Sequence, residues 1–334
     1  MKSEIFETFS AQNTRYGVRI MDNNNREDLE NFFLIFYDCF GFRKHLDKTW
    51  YHWYYNANPT GVCNNYILIE LDKNIFVGAY GFAKTEYVLN GEKISGGLGI
   101  NGMIIKNYRK KGLYSKLMDI GLKKENYEKN LAFSFPHGAN INSIKGHYNN
   151  NWSILNKTYF YFKNKASFSI INTDNVKEID YLNDLTKINF DLFNIGKQFY
   201  FYKSKDWLSW RFINHPHKNY IIIGHYDSDD IINGYMVLGF YQAKNNIIRC
   251  QIIDYGIKNM DILKNLLIKA ENVALENNAD LLDLIISDHS DDLNVFLNSQ
   301  FKKSEEFYEL LIFPKHNLSN NLNINVLLGD FDVA

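Results

Sequence analysis

Between residues 97 and 118 the spacing of apolar positions changes period. Met103 to Ile105 form an apolar run, and Lys106 to Lys111 a basic loop. From Gly112 onward Leu113, Leu117, Ile120 and Leu122 recur at helical spacing, with Lys116, Lys123 and Lys124 turned the other way. This predicts a strand, a loop and an amphipathic helix that opens at Gly112 and runs to about Asn126. Upstream, the polar residues 1–15 predict a frayed or lightly docked start, and Tyr16 to Ile20 alternate like a short strand. Leu29, Phe32, Phe33, Ile35, Phe36 and Phe40 mark a helix over 27–40, and a second short helix holds Trp50 and Trp53 before Asn58-Pro59 ends it. Residues 66–71 and 75–82 predict a hairpin across Asp72-Lys73-Asn74. Downstream, the apolar run Leu131 to Phe135 is of the kind a central strand shows and is stopped by Pro136. Strand, helix and strand in this order predict a parallel pair with a right-handed crossover.

The pattern then recurs. Trp50-x-x-Trp53-x5-Pro59 returns as Trp207-x-x-Trp210-x5-Pro216, and each copy precedes a paired-strand pattern opening on a tyrosine, Tyr66 or Tyr220. In the second copy Ile262, Leu263, Leu266, Leu267, Ala270, Val273 and Ala274 share one helical face, and residues 281–286 form another apolar strand. The stretch Tyr255 to Met260, however, contains no Arg-x-x-Gly. Two domains are expected, 1–165 and 175–334, with the boundary near Lys163–Asn175.

Composition narrows the classes. The 334 residues are 46% hydrophobic, enough for sizeable cores, and a net charge of −1 supplies no overall field for nucleic acid or an anionic membrane. The sequence MKSEIFETFS has no apolar signal-like region, and no run approaches the ~20 apolar residues of a membrane span. Cys39, Cys63 and Cys250 are widely spaced with no CxxC, which suggests a reducing cytoplasm rather than disulfides or zinc. The expectation is thus a cytoplasmic protein with no metal, no nucleic-acid partner and no membrane partner; a homodimer is compatible with it.

Candidate chemistry gathers at 97–118. Gly97-Leu98-Gly99-Ile100-Asn101-Gly102 spells the dinucleotide pattern GxGxxG, but a strand-like run follows it instead of a helix, so the fingerprint's context is missing. These glycines are expected along a strand whose backbone is approached closely by a ligand or carries a bulge. The helix opening at Gly112 is the better anion site. Its first N–H groups lack intrahelical partners, the macrodipole is positive there, and Arg109, Lys110 and Lys111 add charge.

Asn107 to Tyr114 resembles the coenzyme A loop of the GNAT superfamily of N-acetyltransferases, usually Gln/Arg-x-x-Gly-x-Gly/Ala. Arg109 and Gly112 fit it. Tyr114 stands where a small residue is usual, so either its ring points away from the pyrophosphate or the loop sits differently. A second patch, Asn140-x-x-Ser143 followed by Gly146-His147-Tyr148 and closing at Asn151-Trp152, resembles the family's segment after its fifth strand, with Asn151 at the usual Gly position. The two patches cover about 60 residues, 97–157.

What the resemblance implies is an α/β fold of tandem GNAT-like mixed sheets flanked by helices, the second copy lacking the coenzyme A loop. It also implies acetyl-CoA as donor substrate in the first copy. The donor site would comprise Met103, Ile104, Arg109, Lys110, Lys111, Gly112, Leu113, Tyr114, Ser115 and Asn140, with the backbone N–H groups near Met103 and Ile104 facing the thioester oxygen. Tyr148 and His147 compete as the acid for the departing thiolate. His137 and the Asp330/Asp332 pair, in a tail that could fold over the cleft, are the candidate bases. Tyr51, Tyr54 or Tyr55 could line an acceptor pocket, and Arg211 could hold an acceptor anion or an internal ion pair. The expected activity is N-acetyl transfer to a primary amine of a small or medium molecule, an amino sugar of a polysaccharide pathway being the preferred acceptor. The rivals are transfer of a longer acyl or aminoacyl group, and a non-catalytic coenzyme A-binding or scaffold protein.

Overall fold

The computed structural model describes residues 4–127, 130–171, 173, 175–180, 184–188, 190, 193–243, 246–315 and 322–331. The chain forms two compact units, each assembled from three stretches. Unit 1 takes residues 1–86, 95–155 and 309–317, and unit 2 takes 87–94, 156–308 and 318–334.

In unit 1, β1 (Glu7–Ala11) and β2 (Thr14–Ile20) form an antiparallel hairpin. The polar start is therefore an edge strand rather than a frayed end. Helix α1 (Arg26–Phe40) follows, capped by Asn25, and then α2 (Lys48–Tyr51) continues into a five-residue π turn, His52–Asn56. Strands β3 (Asn64–Glu70), β4 (Ile75–Leu89) and β5 (Glu92–Ile104) come next. The turn joining β4 to β5, Asn90-Gly91, falls in the 87–94 stretch of unit 2; both its residues are at positive φ, a hairpin signal that the pattern of apolar runs alone passes over. Helix α3 (Leu113–Lys124), β6 (Ala132–Ser134) and α4 (Ile141–Tyr148) complete the sequential part. The strand order is β1-β2-β3-β4-β5-β6, with the end of β14 (Lys302–Phe313) antiparallel to β6. As expected, β5 and β6 are parallel.

Side-chain alternation along β2 gives unit 1 two covered faces. Tyr16 and Val18 join a core with Leu113, Leu117, Met118 and Leu122 of α3. On α1, the Asp28 carboxylate holds the buried Arg19 guanidinium, and a dense aromatic cluster packs there: Phe32 against Tyr51 and Tyr55, and Tyr51 stacked on Tyr55 at 4.3 Å.

Unit 2 contains most of β7 (Ser153–Asn164), then β8 (Val176–Glu178), β9 (Phe199–Phe201), α5 (Lys205–Leu208) with a second five-residue π turn, Ser209–Ile213, and strands β10 (Tyr220–Tyr226), β11 (Ile232–Gln242) and β12 (Ile248–Ile257). After these come α6 (Met260–Glu276), β13 (Leu281–Ser287), α7 (Leu293–Asn298) and β15 (Ile324–Asn325). The order is β14-β7-β13-β12-β11-β10-β8, with β12 and β13 parallel, and α6 covers a core of Leu263, Leu266, Leu267 and Ala270. The sequence of capped short helix, π turn, hairpin, strand, long helix and parallel strand thus occurs in both units. Asp47 caps α2 and Ser204 caps α5 through the same bond to the N–H three residues on. No helix among the described residues is long and apolar enough to cross a membrane.

Candidate acyl-donor site in unit 1

The site begins with the path of β5. Its pairing with β6 covers Gly97–Ala132 and Leu98–Phe133, although β5 runs on to Ile104. Asn101 lies at φ +47°, a left-handed residue inside a strand; such a residue marks a bulge, and Asn tolerates it better than most. The Asn101 amide donates to the Tyr55 hydroxyl, so the π turn holds the bulge. The three glycines explain themselves by close approach, not of a ligand but of rings. A Cβ on Gly97 would lie 2.1 Å from the Tyr127 hydroxyl, one on Gly99 2.5 Å from that of Tyr80, and one on Gly102 2.7 Å from the Tyr114 ring.

The loop after β5 is tied to the end of α1 and to the end of β5 itself. The Lys106 N–H donates to Asp38 (2.9 Å), and Arg109 Nε donates to the Ile104 carbonyl at 2.8 Å. The same guanidinium lies 3.6 Å from Cys39 Sγ. Lys110 (φ +63°) and Gly112 (φ +73°) bracket Lys111 with left-handed backbone, and space is open around the position a Gly112 Cβ would take. Helix α3 therefore starts without a side-chain cap, its first N–H groups next to exposed Arg109 and Lys110. Leu113 faces the core, and Lys111 lies 4.9 Å over the Tyr108 ring. Met103 and Ile104 are buried.

Tyr114 points away from the loop. Its ring lies between Gly102 and Gly146, 2.7 Å from where either Cβ would be, and its hydroxyl meets Ser143 Oγ at 3.2 Å. The next helical residue, Ser115, is half-buried. Asn140 caps α4 by accepting the Ser143 N–H, and Asn151 holds the expected left-handed turn at φ +62°.

His147 is 1% exposed. Its Nδ1 lies 2.7 Å from the Ser143 carbonyl, which can only accept, so Nδ1 carries the proton and Nε2 accepts from the Tyr80 hydroxyl at 3.2 Å. Trp152 stands edge-on at 4.9 Å, and burial lowers the imidazole pKa to about 4. This neutral, enclosed ring is a packing group. Tyr148, one residue on, is 42% exposed, and its hydroxyl donates to Glu309 Oε2 at 2.9 Å. Burial first, then Glu309, push the phenol up to about 12. Glu309 is a residue the sequence reading did not single out. It lies on β14, where its N–H donates to the Pro136 carbonyl at the end of β6. His137 is half-buried, its Nδ1 accepting the Ala139 N–H at 3.1 Å.

Other expected site residues are elsewhere. Tyr51, Tyr54 and Tyr55 are core, not pocket wall. Arg211 is buried in unit 2, donating to the carbonyls of Gly329 and Phe331. Asp330, also in unit 2, is wholly buried 3.0 Å from Lys203. Asp332 lies outside the described residues.

No family model and no curated protein matches the chain. Solved structures do. Saccharomyces cerevisiae N-myristoyltransferase with bound myristoyl-CoA superposes with TM-score 0.65 at 11% identity, over 93% of this chain and 85% of that one. A GCN5-related N-acetyltransferase from Anabaena variabilis ATCC 29413 gives 0.66 at 10% identity, over 88% and 72%. The chain has the GNAT-type fold. A third structure, a probable N-acyltransferase from Enterococcus faecalis V583, matches with TM-score 0.65 at 12% identity, over 89% and 72%. In unit 2 the stretch before α6, Tyr255 to Met260, contains no Arg-x-x-Gly, and helix α6 opens differently from α3. The Asn259 side chain accepts from both Asp261 and Ile262 N–H, and Asp261 brings an acid to the first turn, so the features that suit an anion at α3 are reversed.

Proposed function

We propose that the protein is an acyltransferase that moves an acyl group from coenzyme A to a primary amine, with the donor site in unit 1. The observation that carries this is the uncapped N-terminus of α3, open at Gly112 and flanked by Arg109, Lys110 and Lys111, at the end of a bulged strand that has left its parallel partner. Such a helix start favours a pyrophosphate. Lys110, Lys111 and the N–H groups of Leu113, Tyr114 and Ser115 would hold it, while Arg109 shapes the loop through the Ile104 carbonyl. The backbone near Met103 and Ile104 would face the thioester oxygen. Asn140 contributes by starting α4, and His137 stands at the carboxyl end of β6, where open sheets of this kind present ligands.

The preferred donor is acetyl-CoA and the preferred acceptor a small amine, an amino sugar first among them. The likeness to an N-myristoyltransferase holding myristoyl-CoA favours a second reading, a longer acyl donor. Thiol release from acetyl-, octanoyl- and myristoyl-CoA over a panel of amino sugars, amino acids and peptides tests both. Amine-dependent release with acetyl-CoA supports the first reading, and release confined to long chains the second. Binding without release from any donor would leave a coenzyme A-binding protein.

A further inference from the structure

Tyr148 and Glu309 form a hydrogen-bonded pair whose direction matters. The phenol O–H points at the carboxylate, 2.9 Å away, so the proton of Tyr148 is committed to Glu309 and its oxygen keeps lone pairs with which to accept. Glu309 behind it is 8% exposed and Tyr148 is 42% exposed, which makes the phenol the outer member of the pair. The pair stands beside Pro136 at the carboxyl end of β6. A phenol held this way accepts a hydrogen bond more readily than it gives one.

We infer that Tyr148 and Glu309 act as a relay that takes a proton from the acceptor ammonium, rather than Tyr148 acting as a free-standing acid for the thiolate. This rests on the amine acyl transfer proposed above. In the step, an ammonium N–H bond breaks and its proton joins the Tyr148 oxygen. The phenol's own O–H bond breaks at the same time, and that proton joins Glu309 Oε2. The products are a free amine, an intact phenol and a neutral carboxyl. As the amine displaces sulfur and the C–S bond breaks, the carboxyl proton returns through Tyr148 to the thiolate, and the second nitrogen proton leaves to solvent. Tyr148 is the group facing the reactants; Glu309 acts through it as a positioning residue. The high phenol pKa fits this role, because Tyr148 stays protonated throughout.

The test uses the full chain with acetyl-CoA and the amine of highest turnover. Tyr148→Phe and Glu309→Gln are each expected to lower kcat by about 100-fold or more, with acetyl-CoA affinity unchanged. The double variant is expected to be no slower than either single one, since the two groups act as a unit. Glu309→Asp, which keeps the carboxylate, should recover part of the loss. A second measurement needs no variant: in mixed H2O and D2O the wild-type single-turnover rate should bow below a straight line, because two protons move in one step. A Glu309→Gln enzyme with wild-type kcat, losses that multiply in the double variant, or a straight line in the isotope mixture would each overturn the relay. Absence of turnover by the wild type would instead refute the acyl-transfer reading itself, and the relay with it.

Discussion

Tyr114 shows how one side chain departs from a motif and is accommodated. Its ring needs glycine on both sides, at Gly102 of β5 and Gly146 of α4. Gly146→Ala should therefore destabilise unit 1 by about 1–3 kcal/mol, read as a lowered denaturation midpoint, and Tyr114→Ala in the same chain should recover part of it. His147 makes a second residue-scale prediction. Its imidazole pKa falls from 6.5 to about 4 on burial, so between those values the unfolded chain binds the extra proton. Stability is then full above pH 6.5 and is lost as pH falls toward 4, by up to roughly 3 kcal/mol. His147→Gln should flatten that part of a stability-versus-pH curve measured by urea unfolding. Tyr148 and His147 compete in the sequence, Tyr148 slightly ahead, because they are adjacent; the turn of α4 separates the enclosed ring from the outward one. Glu309 could not be read at all, since its partner is 161 residues away in the chain.

At the scale of elements, the period change at Gly112 and the paired Trp-x-x-Trp patterns were legible because they depend on local spacing. Strand β1 was not. It is an edge strand with exposed and half-buried positions, and Phe9 and Ala11 alone alternate towards the core, too short a run to separate from a polar start. The aromatic run at 50–55 was legible as aromatic but not as core, because pocket walls and cores use the same rings. Helices α3 and α6 differ at the N-cap, Gly112 against Asn259, as well as in the acid that Asp261 brings to the first turn of α6. Asn259→Ala should cost unit 2 about 1 kcal/mol, because two N–H groups of α6 lose their acceptor. Thermal denaturation would reveal it, and an unchanged midpoint would show that the cap contributes little.

Across the whole molecule, two units share one order of elements but differ in what lies at the end of the strand before the long helix. In unit 1 that place holds the Asn101 bulge and the basic loop. In unit 2 it holds Asp254, buried with Asp330 around the Lys203 ammonium at 2.8 and 3.0 Å, while Gly329 packs close enough that a Cβ would stand 2.8 Å from the Asp254 carboxylate. Burial raises Asp254 to about 6 and Asp330 above its ordinary value, against the opposing pull of Lys203. Lys203→Met would leave two carboxylates in the core without the ammonium they share. The expected loss is about 3–5 kcal/mol, larger at pH 8 than at pH 5, since protonation relieves the buried charge.

In the proposed reaction, unit 1 would hold a coenzyme A thioester at the start of α3. Calorimetric titration of acetyl-CoA into the wild type and into Gly112→Asp tests it most directly, because the substitution sets a carboxylate and a Cβ at the open, left-handed position where the pyrophosphate would lie. Micromolar binding, about −8 kcal/mol, is expected for the wild type and none for the variant. Equal binding by both proteins, or none by the wild type to any acyl-CoA, would contradict it.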